Sequence, residues 1–431
     1  MDAVTYISTF SRFGKPVTDL SRIGRLLELL GRPQDKLRFI HIAGTNGKGS
    51  IAEMLSETLC AAGYKTGLFT SPYILTFYDR IRINGVNIPA GALDALMDEL
   101  SPLLEQSPDR DSITQFEVTQ AAAFVWFARQ GCDVVVLEAG LGGLLDSTNI
   151  IEAPLCSVIG SIGLDHTAIL GSTVAEIAFQ KAGIIKPGRP CVLSAGAPED
   201  AGAVFRRKAA REGSRLVIPD MTLCRVLYSD LTGSRFVYRG KEYRTSMAGA
   251  HQVTNAVTVI EALRLIKAEL PVSDDDIRTG IARARLCGRT ELISRDPDVI
   301  LDGSHNPDGT AALAALLAQN AGREVCCVIG MHTDKNAAEA IANLLPHVTE
   351  FYPVSGFSDR DIPASDLAEI IRKAGGHAVL SQGEITRIIS SVISARPGAV
   401  TLIAGSLYLV SYVKARQNAV KGLSEGAKER I

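Results

Sequence analysis

Leu37-Arg38-Phe39-Ile40-His41-Ile42-Ala43 runs straight into Gly44-Thr45-Asn46-Gly47-Lys48-Gly49-Ser50, and the reading of this stretch decides the fold. The first seven residues form an apolar run of strand length, the pattern of a strand covered on both faces. A helical pattern follows over residues 50–62, with Gly63 placed to cap its end, and residues 65–69 read as the next strand. That is a βαβ unit with a glycine-rich loop at its first turn. Such a loop suits phosphates. Glycines let backbone N–H groups converge on an anion, and a helix N-terminus adds the positive end of its dipole. Lys48 supplies a cation and Ser50 a hydroxyl for magnesium. The match to GxxxxGK[ST] is incomplete, because Ile42 stands at the first glycine position and Gly49 where the Ser/Thr would be. A glycine-rich connector with a surface lysine is the plain alternative.

Outward from this unit, short apolar runs alternate with helical patterns, which points to parallel sheets covered by helices. Residues 133–138, 156–162 and 190–194 read as strands. Over residues 216–244 the pattern changes to hairpin-like pairs, so a small antiparallel insert is expected there. Residues 255–270 read as a helix. A second series begins near residue 290, with strands at 299–301, 324–329, 350–353, 378–380 and 399–404 and helices at 307–318, 364–374 and 384–395. The fold class is α/β. A P-loop-type, mostly parallel sheet domain carrying the antiparallel insert is expected over residues 1–289, and a smaller Rossmann-like C-terminal domain over residues 290–431. Residues 421–430 read as a charged, solvated tail.

The chain of 431 residues is 46% hydrophobic and 21% charged, with a formal net charge of −2. That balance offers no broad attraction to nucleic acid or to an anionic membrane, so neither is expected as a partner and a small anion must be held by local groups. Eight cysteines are scattered through apolar runs with no CxxC pair and no zinc spacing, and they read as reduced, buried thiols. The first sixteen residues lack the apolar core of a signal peptide, and no stretch reaches the ~20 apolar residues of a membrane span. A cytoplasmic location is expected.

Three segments at strand ends carry candidate cation ligands. Ser71 follows the strand at 65–69, Glu138 ends a very apolar strand, and His166 follows the strand at 156–162 beside Asp165. In a parallel sheet the C-terminal strand ends share one edge, so Ser71, Glu138 and His166 are expected to converge above the phosphate loop. Magnesium takes oxygen ligands and keeps several waters, so a sparse protein set suffices. Ser406, between the last strand and a helix, is a candidate for carboxylate binding at a helix N-terminus.

GTNGKGS resembles the ATP loop of the Mur ligase superfamily, in particular its folate branch, folylpolyglutamate synthase/dihydrofolate synthase. Later segments carry the same resemblance in the same order. Phe179-Gln180-Lys181-Ala182-Gly183-Ile184 is similar to the family's EKAGI motif, whose lysine is carbamylated and joins Ser71, Glu138 and His166 as a magnesium position. Gly249-Ala250-His251-Gln252-Val253-Thr254-Asn255-Ala256 resembles a segment whose Asn255 would face adenine. Gly288-Arg289 resembles the arginine that reaches the ATP phosphates, and Asp302-Gly303-Ser304-His305-Asn306-Pro307 resembles DGAHNP, which puts Asp302 at the ribose and His305 near the transferred phosphate. Asp334-Lys335 resembles a pair near the incoming amino acid. Asp19 and Arg22 stand where the family has LGLER, and Phe116 and Glu117 complete a TxFE-like motif; both motifs line the pterin side. Tyr73, Leu144 and Gln180 depart from the family pattern.

What the resemblance implies is an ATP- and magnesium-dependent ligase adding L-glutamate to a reduced folate, with dihydropteroate as a further acceptor, acting as a monomer. Its catalytic residues would be Lys48, Lys181 and His305. Thr45, Asn46, Gly47, Lys48, Gly49, Ser50, Asn255, Arg289 and Asp302 would bind ATP, and Ser50, Ser71, Glu138, His166 and Lys181 would hold the metal. Asp19, Arg22, Phe116 and Glu117 would face folate, and Asp334, Lys335 and Ser406 the glutamate. The alternatives are another Mur-superfamily amino-acid ligase, or a P-loop nucleotide-binding protein without ligase activity.

Overall fold

The computed structural model describes residues 1–12, 18–319 and 322–420, so the expected tail at 421–430 lies outside the described residues. The chain forms two compact units. The first comprises Met1–Arg225, Tyr238–Tyr243 and Thr254–Ala284, and the second Val226–Val237, Arg244–Val253 and Arg285–Ile431.

The first unit is built on strands β1 (Phe39–Ala43), β2 (Thr66–Phe69), β3 (Ile81–Ile83), β4 (Val86–Asn87), β5 (Val134–Glu138), β6 (Cys156–Ile159), β7 (Cys191–Leu193) and β8 (Leu216–Val217). They form an eight-stranded sheet in the order β4-β3-β2-β5-β1-β6-β7-β8. From β2 to β8 across the sheet every pairing is parallel, and β3 and β4 add an antiparallel hairpin at one edge. β1, β2, β5 and β6 are buried along their whole length, which is why each reads as an unbroken apolar run. One apolar cluster packs residues of the helices Ser21–Leu29, Ala90–Glu105 and Gln115–Arg129 against the sheet, including Leu26, Leu96, Phe124 and Phe127. Another joins Ile159 and Leu193 to Ala178, Ala182 and Phe205 of the helices Val174–Ala182 and Glu199–Arg211.

β9 (Cys224–Asp230), β10 (Gly233–Tyr238) and β11 (Lys241–Thr245) make the expected insert, a three-stranded sheet in the order β11-β10-β9. Arg239 and Gly240 link the last two strands with φ of 48° and 75°, the left-handed pair that a tight two-residue hairpin turn requires. Residues 216–217 do not belong to this insert as the sequence suggests. They close the edge of the large sheet as β8, parallel to β7.

The second unit carries β12 (Glu291–Arg295), β13 (Asp298–Asp302), β14 (Val325–Ile329), β15 (Glu350–Pro353) and β16 (Val400–Ala404) in the order β12-β13-β16-β14-β15. β12 is antiparallel to β13 and the remaining pairs are parallel. Asn306 caps the helix Pro307–Ala318, accepting from Gly309 N–H, with Pro307 at the first position where no amide hydrogen is needed. Residues 378–380 are not a sixth strand. Only Ala378 pairs, as an isolated bridge to Phe351. The helix read at 255–270 runs instead over Ala250–Leu265, so Asn255 lies in its second turn and is no cap. No helix among the described residues is long and apolar enough to cross a membrane, and all eight cysteines are free.

The loop helix Lys48–Ala61 is braced by the helix Asp274–Arg283 at a close crossing. A Cβ on Gly280 would stand 2.2 Å from Thr58 Cα. Gly280→Ala therefore forces the helices apart, and the strain exceeds the gain in helix propensity. We expect a net loss of about 1–3 kcal/mol, read as a lower urea midpoint at unchanged slope. An unchanged midpoint would mean that the crossing carries no packing energy.

Candidate active site

The phosphate loop leaves β1 at Ala43 and enters the helix Lys48–Ala61 through Gly47, whose φ of 83° suits glycine alone among common residues. Space at Gly47 is closed as well, since a Cβ there would stand 2.7 Å from Asn255 Oδ1. Asn255, expected at the adenine, thus lies against the loop itself. The loop is pinned to the segment after β6: Thr45 N–H donates to Ser161 O at 2.7 Å, and Thr45 Oγ1 donates to Gly163 O at 3.0 Å. Asn46 bridges Ser161, and a Cβ on Gly160 would stand 2.5 Å from Asn46 O. The Thr45 hydroxyl is therefore occupied in shaping the loop. Ser50 is buried in the first turn.

Two ammonium groups meet at one carbonyl. Lys48 Nζ donates to Gly44 O at 3.0 Å and lies 3.4 Å from Thr45 O. Lys181 Nζ, from the helix Val174–Ala182, donates to the same Gly44 O at 2.8 Å. Lys181 is 4% exposed. Burial above all, then the neighbouring charge of Lys48, lowers its pKa to about 7, with Asp165 and Asp146 acting in the opposite sense.

Its helix is held by the glycine-rich segment after β5. Leu144 N–H donates to Gln180 O at 2.7 Å, and a Cβ on Gly143 would stand 2.9 Å from that same carbonyl. The segment is folded by Asp146, whose carboxylate accepts from Leu141 N–H at 2.7 Å and from the Thr148 N–H and hydroxyl at 3.0 and 2.5 Å. Thr148 Oγ1 also meets His41 Nε2 at 2.9 Å, and full burial drives the His41 pKa down to about 3. Asn149 Nδ2 reaches Leu144 O and Gly183 O. Asp146, Thr148, Asn149 and His41 were not singled out from sequence. Their signal was the Asp-Ser-Thr-Asn run after the glycines, a composition that bonds its own backbone.

At the same sheet edge, Glu138 closes β5 almost fully buried and accepts from Ser71 N–H at 3.1 Å. Ser71 and Glu138 are thus brought together. His166 sits at φ 50° with its Nε2 3.8 Å from Asp165 Oδ2. Among the described residues, no three His, Cys, Asp or Glu side chains gather to hold an ion by themselves. Phe116 packs under the glycine-rich segment, where a Cβ on Gly140 would stand 2.7 Å from its ring, and its centroid lies 5.6 Å from that of Phe69. Glu117 is the N3 residue of a capping box with Thr114 and pairs with Arg22 Nε at 2.9 Å. Asp19 accepts from Ser21 N–H on the surface. Arg22, Glu117 and Asp19 therefore have local structural partners.

In the second unit, Asp302 is buried at the end of β13. It accepts from Thr290 N–H and Oγ1 at 2.8 and 2.9 Å and from Ser304 N–H at 2.7 Å. His305 Nδ1 meets Gly303 O at 2.8 Å, which puts the proton of a neutral ring on Nδ1. Gly288 O accepts from Gly303 N–H at 2.8 Å, tying the segment that bears Arg289 to β13. Lys335 Nζ lies 3.9 Å from Asp334 Oδ2. Ser406 caps the helix Leu407–Ala415, accepting from Tyr408 N–H at 3.1 Å.

Lys181 has a pH signature. Between its folded pKa of about 7 and its ordinary 10.5, the unfolded chain holds the extra proton, so this lysine makes stability rise with pH across that window. Lys181→Met removes the dependence. The advantage of the variant over wild type is largest below pH 7 and shrinks toward pH 10, by at most about 1.4 kcal/mol per pH unit. Urea denaturation at several pH values measures this, and a constant difference would refute the lowered pKa.

Two family models cover most of the chain, the Mur ligase middle domain over residues 42–263 and the Mur ligase, glutamate ligase domain over residues 288–407. The dihydrofolate synthase/folylpolyglutamate synthase of Bacillus subtilis is 36% identical over 434 residues, spanning 96% of this chain and 98% of that protein. The folylpolyglutamate synthase of Lacticaseibacillus casei is 35% identical over 441 residues, spanning 98% and 99%. Among solved structures, E. coli FolC in complex with DHPP and ADP superposes with a TM-score of 0.85 at 29% identity, covering 97% of this chain and 98% of that one. On this likeness, over nearly its whole length, the chain belongs to the Mur ligases, in the family of dihydrofolate synthases/folylpolyglutamate synthases.

Proposed function

We propose that the chain is an ATP-dependent ligase that adds L-glutamate to the carboxylate of a reduced folate through an acyl phosphate. The observation that carries this reading is the meeting of Lys48 and Lys181 on Gly44 O, in a loop that leads into the N-terminus of the helix Lys48–Ala61. The Lys48 ammonium at a dipole's positive end calls for an anion, and a triphosphate supplies one. The names of the high-coverage relatives in Bacillus subtilis and Lacticaseibacillus casei supply the acceptor class.

In the reaction, an oxygen of the folate carboxylate attacks the γ-phosphorus of ATP, the bond to the β–γ bridging oxygen breaks, and ADP leaves. The glutamate amine then attacks the acyl carbon. The tetrahedral species expels phosphate, and the amine's proton is lost as the amide forms. On this reading the backbone of Thr45, Asn46, Gly47 and Gly49 cradles the phosphates, and Lys48 offsets charge on the transferred group. Asn255, already against Gly47, takes the adenine side. The residues present suit magnesium: a buried carboxylate on Glu138 and a buried hydroxyl on Ser50 are hard oxygen ligands, with Ser71 and His166 nearby in the sheet order. Bound there, the ion would neutralise phosphate charge. Lys181, near neutrality, is the amine able to react with CO2, giving a carbamate and a proton, and so to become a further anionic ligand.

Phe116, beside Gly140, is the folate-side contact we favour, with Asp19, Arg22 and Glu117 shaping its surroundings. In the second unit we assign Arg289 to phosphate, Asp302 to ribose, His305 to the transferred group, and Asp334, Lys335 and Ser406 to glutamate. We take residues 1–289 and 290–431 as the nucleotide and glutamate-ligase domains, and the enzyme as a cytoplasmic monomer, a compartment that suits eight free thiols. A second reading, with dihydropteroate as an additional acceptor, is favoured by the double name of the Bacillus subtilis relative.

The test is phosphate release from ATP by the purified chain with glutamate and a reduced folate, each omitted in turn. Release must require both, and release that ignores glutamate would leave only a nucleotide-binding protein or ATPase. Lys48→Ala is expected to cut the rate on the order of 10²–10³-fold with the circular dichroism unchanged. Glu138→Gln should raise the magnesium needed for half-maximal rate by about tenfold or more, and an unshifted magnesium titration would remove Glu138 from the ligand set.

A further inference from the structure

Beside β8, the edge strand of the first unit's sheet, lies a cavity of about 390 Å³. Its walls come from Arg215 and Val217 at β8, from Arg239 and Lys241 at the turn between β10 and β11, and from residues between Glu261 and Ile277. All of them belong to the first unit. Arg215 precedes β8, which is parallel to β7, so it stands at the N-terminal edge of the parallel strands. The phosphate loop leaves β1 at the opposite, C-terminal edge. The helix Ala250–Leu265 spans the two places, with Asn255 against Gly47 and Arg264 on the cavity wall. Nine helical steps separate those residues, roughly 14 Å along the axis. The cavity is therefore distinct from the loop.

Cations outnumber carboxylates on these walls. Arg215, Arg239, Lys241, Arg264 and Lys267 stand against Glu261 and Asp274, five to two, in a chain whose formal net charge is −2. Two of the five are neutralised. Arg239 Nε donates to Glu261 Oε1 at 2.7 Å, and Lys241 Nζ donates to Asp274. Arg264 Nε lies 3.7 Å from Glu261 Oε2, beyond hydrogen-bond reach. The side chains of Arg215 and Lys267 make no hydrogen bond or ion pair among the described residues. The arrangement is held from beneath by Glu261, which is 5% exposed and also accepts from Tyr238 Oη at 2.8 Å. That buried carboxylate fixes Arg239, whose φ of 48° belongs to the hairpin turn. Leu263 and Val272 are buried apolar residues of the same walls.

Like charges around one concavity repel, and a concave wall focuses their field on what enters it. The volume lies in the range of small-ligand sites. A single chloride would leave most of the surplus standing, whereas a multivalent anion offsets it and matches the guanidinium forks of Arg215 and Arg264 with paired oxygens. We propose that this cavity is a second anion site of the chain, taking a small molecule that carries two or three negative charges on carboxylate or phosphate groups. It stands apart from the ligase reading and needs no turnover.

The experiment is titration calorimetry of the full chain at low ionic strength without magnesium, with pyrophosphate and citrate as probes. The phosphate loop is an anion site too, so the chain carries Lys48→Ala throughout, with and without Arg215→Ala and Lys267→Ala together. Both of these side chains are exposed and unpaired, so their loss leaves the fold intact, which circular dichroism checks. At least one probe is expected to bind, and the probe preferred tells phosphate from carboxylate recognition. Removing Arg215 and Lys267 should raise the Kd by about tenfold or more, and added salt should weaken binding wherever it occurs. Absence of binding by both probes at millimolar concentration overturns the proposal. So does a Kd that the paired substitution leaves within about twofold, because the anion then sits elsewhere.

Discussion

The contact on which the first unit's chemistry depends is the sharing of Gly44 O by Lys48 and Lys181. Like charges this close repel, the more so because Lys181 is buried, and one carbonyl dipole does not neutralise two ammonium groups. Lys181 holds its proton weakly, burial first and the charge of Lys48 second lowering its pKa to about 7. The loop thus carries an electrostatic demand that an anion satisfies. Everything around it keeps that demand from relaxing. Thr45 and Asn46 tie the loop to Ser161 and Gly163, and the segment folded by Asp146 clamps the backbone of Gln180. The helix Asp274–Arg283 lies so close to the loop helix that only glycine fits at position 280.

The parallel core was legible because its strands are buried on both faces. A strand without a wet side has no alternation to hide in, so Val134–Glu138 and Val325–Ile329 read directly as apolar runs. Where a strand has a solvent side or is very short, the signal fades. β3 and β4 total five residues at a sheet edge, and β12 alternates around a bulge at Leu292/Ser294. Residues 378–380 show the converse, an apolar run that packs beside β15 but makes one bridge only. The helix beginning at Ala250 escaped because the turn His251 to Thr254 carries no apolar periodicity.

The site divides along a similar line. Groups that sit where the chain turns from strand to helix, such as Lys48, Ser50 and Glu138, could be read locally, because the chemistry and the turn are adjacent in sequence. Roles set by partners far along the chain could not. Nothing near Glu117 announces Arg22 as its ion-pair partner, and nothing near Lys181 announces Gly44. The three donors that Asp302 gathers include both groups of Thr290, a residue that reads only as part of a domain boundary. The nearness of His332 and Asp361 is of this kind as well. Each residue alone looks like an ordinary loop residue.

Both sheets place their chemistry by one geometric device. A parallel strand must be followed by a crossover, so each C-terminal strand end begins a turn, and adjacent ends present their turns side by side. In the first unit this edge gathers Gly44, Ser71, Glu138 and the segment from Gly160 to His166; in the second it gathers Asp302, His332, Arg360 and Ser406. The turns differ in what they hold. Around Gly44 two lysines share one carbonyl, the buried one with a lowered pKa. Around His332 an imidazole and the Asp361 carboxylate are buried side by side, His332 Nε2 lying 3.7 Å from Asp361 Oδ1.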